Sequence, residues 1–162
     1  MRTFRSYSSV ETKRFGERLA KLLSNGKQSG AIVLALHGNL GAGKTTLTQG
    51  FAKGLGIKKK PNSPTFVILR RYPIRIGRLK NFYHIDLYRI KKSDELETLG
   101  LKEILADPAS VVLIEWPEKV KDILPKDTIF LDFRHGKREE EREIDVSAAY
   151  DILNKAFGTE RS

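Results

Sequence analysis

Residues 38–45 read Gly-Asn-Leu-Gly-Ala-Gly-Lys-Thr and follow directly on the apolar run Ala31–His37. A short apolar run ending in a glycine suits a buried strand that enters a tight turn. Beyond the turn, Leu47, Phe51 and Leu55 recur every four residues and Gly56 stops the pattern, which predicts a helix over 44–55. A strand, a glycine-rich turn and a helix in that order match G-x-x-x-x-G-K-[ST]. Without Cβ atoms in the way, the turn can point successive backbone amides inward and cradle phosphate oxygens. In that arrangement Lys44 reaches the β- and γ-phosphates as a point charge. Thr45 offers a hydroxyl to Mg²⁺, and the helix N-terminus adds its dipole.

The rest of the chain alternates helix and strand signals, which makes the class α/β. Ser8 and Glu11 have capping-box spacing, and Phe15, Leu19, Leu22 and Leu23 continue at helical intervals, so residues 10–24 are predicted as an amphipathic helix. Thr65–Tyr72 and Lys80–Arg89 flank a turn signal from Pro73 to Leu79 and read as a hairpin. In the second arm Tyr83, Ile85 and Leu87 share one face, while Phe82, His84, Asp86 and Tyr88 share the other. Ser93–Ala106 reads as a helix interrupted at Gly100, and Val111–Ile114 as another buried strand. Thr128–Arg134 and Glu143–Val146 pair around a polar turn at Gly136–Arg142, and Ser147 caps a last helix to about Phe157. The expected architecture is a single domain over residues 1–162, with a central mixed, largely parallel sheet flanked by helices.

Composition excludes whole classes of chemistry. No cysteine occurs, so disulfides, thiol nucleophiles and cysteine-bound metals are ruled out. The longest apolar run, Ala31–Leu36, is far shorter than the roughly 20 residues of a membrane helix. A cytoplasmic, soluble protein with no membrane association is expected. Charge is lopsided: residues 1–81 carry 17 Lys/Arg against 2 Asp/Glu, and the remainder 13 against 18. A basic half attracts phosphate on a nucleotide, on nucleic acid or on an acidic partner, and equally serves as a solubilising surface.

A phosphate loop of this kind needs a carboxylate at the end of a neighbouring buried strand to hold Mg²⁺. Glu115, directly after Val111-Val112-Leu113-Ile114, stands at that place, and Asp86 is the other candidate. Ser63-Pro64-Thr65 reads either as a strand-entry turn or as the loop best placed to sense the γ-phosphate. His84 could carry a proton, but on a half-buried strand it reads more readily as a hydrogen-bonding structural residue. Trp116 is either a core filler or an interface anchor, and 137–142 reads as a solvated hairpin tip.

Taken together, Gly-Asn-Leu-Gly-Ala-Gly-Lys-Thr-Thr at 38–46, Ser-Pro-Thr-Phe at 63–66, His-Ile-Asp-Leu-Tyr-Arg at 84–89 and Glu-Trp-Pro-Glu at 115–118 resemble the TsaE (YjeE) family. Order and spacing agree over residues 8 to about 135. The resemblance implies a small P-loop ATPase that joins the TsaD–TsaB pair in transferring threonylcarbamoyl to A37 of tRNAs reading ANN codons, touching tRNA through that complex. It further implies that Gly38, Asn39, Leu40, Gly41, Ala42, Gly43, Lys44, Thr45 and Thr46 bind ATP. Thr45 and Glu115 would take Mg²⁺, and Thr65 and Asp86 would act catalytically as nucleotide-state sensors. Ser9 lies where the family contacts adenine, and Trp116 belongs to the same functional face. One position departs from the family: Asn39 stands where Asp is usual, keeping hydrogen bonding without the charge.

Three other classes use the same features. A small-molecule kinase would share the loop but needs an arginine-bearing lid, and no inserted segment is large enough for one. A GTPase needs Asn-Lys-x-Asp, whereas Asn154-Lys155 is followed by Ala-Phe. A purely RNA-binding protein would use the basic half alone and bind with strong salt sensitivity.

Overall fold

The computed structural model describes residues 1–26, 28–61 and 68–147. Seven strands form one sheet: β1 (Arg2–Ser6), β2 (Ile32–His37), β3 (Leu69–Ile76), β4 (Leu79–Asp86), β5 (Ser110–Glu115), β6 (Ile129–His135) and β7 (Arg142–Ser147). Four helices accompany them: α1 (Ser9–Leu23), α2 (Lys44–Gly54), α3 (Ser93–Glu97) and α4 (Leu101–Ala106). The strand order is β1-β7-β6-β2-β5-β4-β3. Parallel pairing is confined to the run β6-β2-β5-β4; β7, β1 and β3 join antiparallel. The sheet is mixed, as expected. No helix among the described residues is long and apolar enough to cross a membrane.

Burial shows why the centre looks as it does. Every residue of β5 is buried, and β2 is buried up to His37, because helices cover both faces there. On one face Leu34, Leu36, Leu113 and Phe82 pack with Phe15, Leu19, Leu47 and Phe51 of α1 and α2. On the other, Val33, Val112, Ile114 and Ile85 pack with Leu101 and Leu105 of α4. The face assignments read for 82–88 hold: Phe82 points to α1 and α2, while Ile85 and Leu87 point to the opposite core.

The α1 start follows its sequence signal with one shift. The Ser8 hydroxyl accepts from Glu11 N at 3.2 Å, but the Glu11 carboxylate accepts from Tyr7 N at 2.8 Å rather than from Ser8. α1 and α2 then approach backbone to backbone. A Cβ on Gly50 would lie 2.0 Å from the Lys13 carbonyl oxygen, and one on Gly54 would lie 2.6 Å from that of Glu17. No side chain fits in that seam.

One sequence expectation is corrected, and one element had no counterpart in the sequence reading. Pro73 is inside β3 rather than in the turn, which closes over Gly77 and Arg78. Proline is tolerated because β3 is an edge strand, and the register shifts between Pro73 and Ile76. The N-terminal residues form β1, paired with β7 from Arg2↔Val146 to Ser6↔Arg142. The helix expected after Ser147 lies outside the described residues.

Candidate nucleotide site

The parallel strands β2, β4 and β5 end side by side. Register sets Leu36 against Glu115 and Glu115 against Asp86. In an open α/β sheet the crevice beyond such carboxyl ends is where ligands bind. From β2 the chain passes into residues 38–43, with positive φ at Gly38, Gly41 and Gly43. A Cβ on Gly38 would fall 2.8 Å from the Phe133 carbonyl oxygen, so only glycine lets the turn lie against β6. Gly43 (φ 102) is the N-cap of α2, and Lys44, Thr45 and Thr46 form its first turn.

Lys44 is 5% exposed despite its charge. Its Nζ donates to the carbonyls of Gly38 (2.6 Å) and Asn39 (2.9 Å), and it sits 5.0 Å above the Trp116 ring. Burial pushes its pKa down, and the carboxylates of Glu115, Asp86 and Glu118 oppose that. The Glu115 carboxylate is buried, with Oε1 2.9 Å from Nε2 of the fully buried His84. Asp86 is half-buried; desolvation raises its pKa, helped by Glu115 and opposed by the Tyr88 amide, which donates to Oδ1 at 3.0 Å.

Trp116 has left-handed backbone (φ 61), the one described residue other than glycine with positive φ. That conformation costs about 1 kcal/mol for a side chain of this kind. Its amide donates to the Leu36 carbonyl at 3.3 Å, and its ring lies 5.0 Å from that of Tyr88. A single chain reversal thus carries Glu115 into the site and folds the indole back beneath the Lys44 ammonium.

These groups surround a cleft of about 700 Å³. Of the residues singled out in the sequence, Ser9, Leu40, Gly41, Gly43, Lys44, Thr45, Thr46, Asp86, Glu115 and Trp116 line it. Ala42 turns its side chain into the core beside Leu47, which leaves only its backbone for a ligand. Asn39 is exposed at the loop, where its carbonyl accepts from Lys44 and from Ala42 N. Thr65 lies outside the described residues.

Sequence reasoning missed several of the lining residues, among them Thr12, Ile68 and Glu95. Arg142, Glu139 and Glu140, read as part of a solvated turn, border the cleft. Arg142 Nη2 donates to the Gly41 carbonyl at 3.3 Å, and its Nη1 donates to Glu139 and Glu141 carbonyls at 2.6 and 2.9 Å. The signal available was the strand start after a glycine-bounded turn. Only the sheet order, which lays β7 beside β6 and near the loop, gives it meaning.

A mixed sheet whose first central strand runs through a glycine loop into a helix opening on Lys44 and Thr45 is the architecture of an open α/β protein with its cleft at the strand ends. Within that class the match is closer still. The family model described as "Threonylcarbamoyl adenosine biosynthesis protein TsaE" matches residues 6–144. The tRNA threonylcarbamoyladenosine biosynthesis protein TsaE of Bacillus subtilis is 39% identical over 153 residues, 93% of this chain and 89% of that one. The Haemophilus influenzae protein of the same name is 40% identical over 119 residues, 74% and 73% of the two chains. The Treponema pallidum one is 37% identical over 137 residues, 83% and 94%. The crystal structure of Bacillus subtilis YdiB superposes with a TM-score of 0.71 at 31% identity, covering 96% of this chain and 93% of that one. The chain belongs to the TsaE family.

Proposed function

We propose that this chain binds and hydrolyses ATP with Mg²⁺ in the cleft, as the accessory ATPase of the cytoplasmic machinery that installs threonylcarbamoyl on A37 of tRNAs reading ANN codons. TsaD and TsaB are its partners, and contact with tRNA is made through them. The observation that carries the proposal is the convergence of Lys44, Asp86 and Glu115 beyond the ends of three adjacent parallel strands, against a glycine loop.

The donor set fits a magnesium ion that arrives with a nucleotide. Among the described residues no group of three His, Cys, Asp or Glu side chains forms a cation cage. Glu115 and the Thr45 hydroxyl would hold the ion, with substrate phosphate oxygens and water completing its shell, a division of ligands that Mg²⁺ favours. When bound, the ion neutralises charge on the phosphates undergoing transfer. The protein's own residues do the rest. Loop amides and the α2 N-terminus receive phosphate oxygens, and Lys44 exchanges the carbonyls of Gly38 and Asn39 for phosphate. Ser9 borders the end of the cleft assigned to adenine. Asp86 stands beside the reacting end, and Thr65 shares the sensing role that the family resemblance gives it. Trp116, stacked near Lys44, feels that exchange directly.

Calorimetric titration with MgATP tests the reading. Wild-type protein is expected to bind, and Lys44→Ala to lose about 100-fold in affinity, close to 3 kcal/mol. Equal affinity would refute the assignment of the loop. Steady-state phosphate release tests the accessory role: turnover by the isolated chain is slow, and adding TsaD with TsaB changes it. Fast turnover indifferent to both partners would favour a kinase on the same loop.

A further inference from the structure

Glu115 and Asp86 face each other in register on adjacent strands, and two carboxylates so placed repel. What holds Glu115 in one orientation is His84. This residue lies two pairs back along β4, opposite Leu113, and shares the face of Asp86. Its ring is 0% exposed, and Nε2 lies 2.9 Å from Glu115 Oε1. A carboxylate can only accept, so Nε2 carries the proton. Nδ1 is buried and has no hydrogen-bond partner among the described residues.

A buried polar atom without a partner destabilises the fold. Neighbouring Phe82 and Leu113 are apolar and fully buried, so packing alone calls for nothing but another apolar side chain here. The imidazole brings one thing an apolar residue lacks, the Nε2–H aimed at Glu115. We infer that His84 is a positioning residue that pins one oxygen of the Glu115 carboxylate, leaving the other for the divalent cation and keeping Glu115 apart from Asp86. A glutamate side chain has three torsions to fix. One buried hydrogen bond removes that freedom before the ion arrives. The inference rests on the proposed magnesium role of Glu115.

The test follows Mg²⁺ titrations of a fluorescent ATP analogue at fixed concentration, with nucleotide affinity in EDTA measured alongside. His84→Asn places its amide at the level of Nδ1 and cannot reach Glu115; His84→Gln places it at the level of Nε2 and can. The asparagine variant is expected to need about 10-fold more Mg²⁺ at the midpoint, with affinity in EDTA unchanged, while the glutamine variant stays near wild type. Should the asparagine variant not fold, His84→Met, which fills the site without a donor, carries the same expectation. Glu115→Gln separates the two claims. If it raises the midpoint and the donor-less His84 variants do not, the positioning role is overturned while the magnesium role stands. If Glu115→Gln leaves the midpoint unmoved, both fall together. Loss of Mg²⁺ response in His84→Gln equal to that in His84→Asn would also overturn the positioning role.

Discussion

The centre of the sheet and its β6-β7-β1 margin obey different rules. β2 and β5 are buried on both faces. β6 alternates instead: Ile129, Leu131 and Phe133 enter the core, while Phe130, Asp132 and Arg134 face solvent. β7 continues the pattern with Ile144 and Val146 inward. On its outer face the margin carries polar ladders, Arg134 and Thr3 both bonding Asp145. Doubly covered strands end in a sheltered rim where carboxylates and a lysine can be desolvated. A singly covered margin cannot shelter such groups, and it contributes from the side, through Arg142.

Deleting buried volume should separate the regions most sharply. Leu113→Ala is expected to cost about 3 kcal/mol in denaturant unfolding, whereas Phe130→Ala, on the open face of β6, should stay within about 0.5 kcal/mol. Comparable losses would mean that something covers the outer face of β6. The next contrast is in binding. Against the 100-fold loss expected for Lys44→Ala, Arg142→Ala removes one tether on the glycine loop, at the Gly41 carbonyl, along with its bonds to the Glu139 and Glu141 carbonyls, and should weaken MgATP by about 5-fold, near 1 kcal/mol. Equal losses would move Arg142 from the margin into the centre of the site.

The smallest effect sharpens the picture of the rim. Burial raises the Asp86 pKa, so the folded state holds this proton more tightly than the unfolded chain. Stability is therefore full in acid and falls as pH rises through the ordinary carboxylate range toward the folded value. Asp86→Asn should stabilise the protein at pH 7 by under about 1 kcal/mol, since Asp86 is only half-buried. The gain should vanish near pH 3. Melting temperatures at both pH values check it, and a gain independent of pH would refute desolvation as the cause.

Legibility in the sequence follows the same division. Strands covered on both faces announce themselves as unbroken apolar runs, so β2, β5 and the loop between β2 and α2 could be read directly, together with Lys44, Thr45 and Glu115. Gly100, φ 65, divides α3 from α4 as its chemistry requires. The margin was harder. β1 is five residues whose alternation means little until β7 is beside it, and Pro73 resembles a turn unless β3 is known to be an edge. Arg142 and the His84–Glu115 bond depend on neighbours far apart in the chain, brought together by strand order alone. The left-handed Trp116 has no local signal, since it is neither glycine nor asparagine.

The glycine seam between α1 and α2 has a mechanical consequence. Lys13 lies against Gly50 and Glu17 against Gly54, so the helices run in parallel with their backbones in contact. One turn further back on each stand Ser9 and Thr46, both at the cleft. With no side chain between them to flex, the two helices behave as one caliper of fixed opening, its jaws at Ser9 and at Thr46. On the proposed reading, a nucleotide would lie across that opening, its base toward Ser9 and its phosphates toward Thr46.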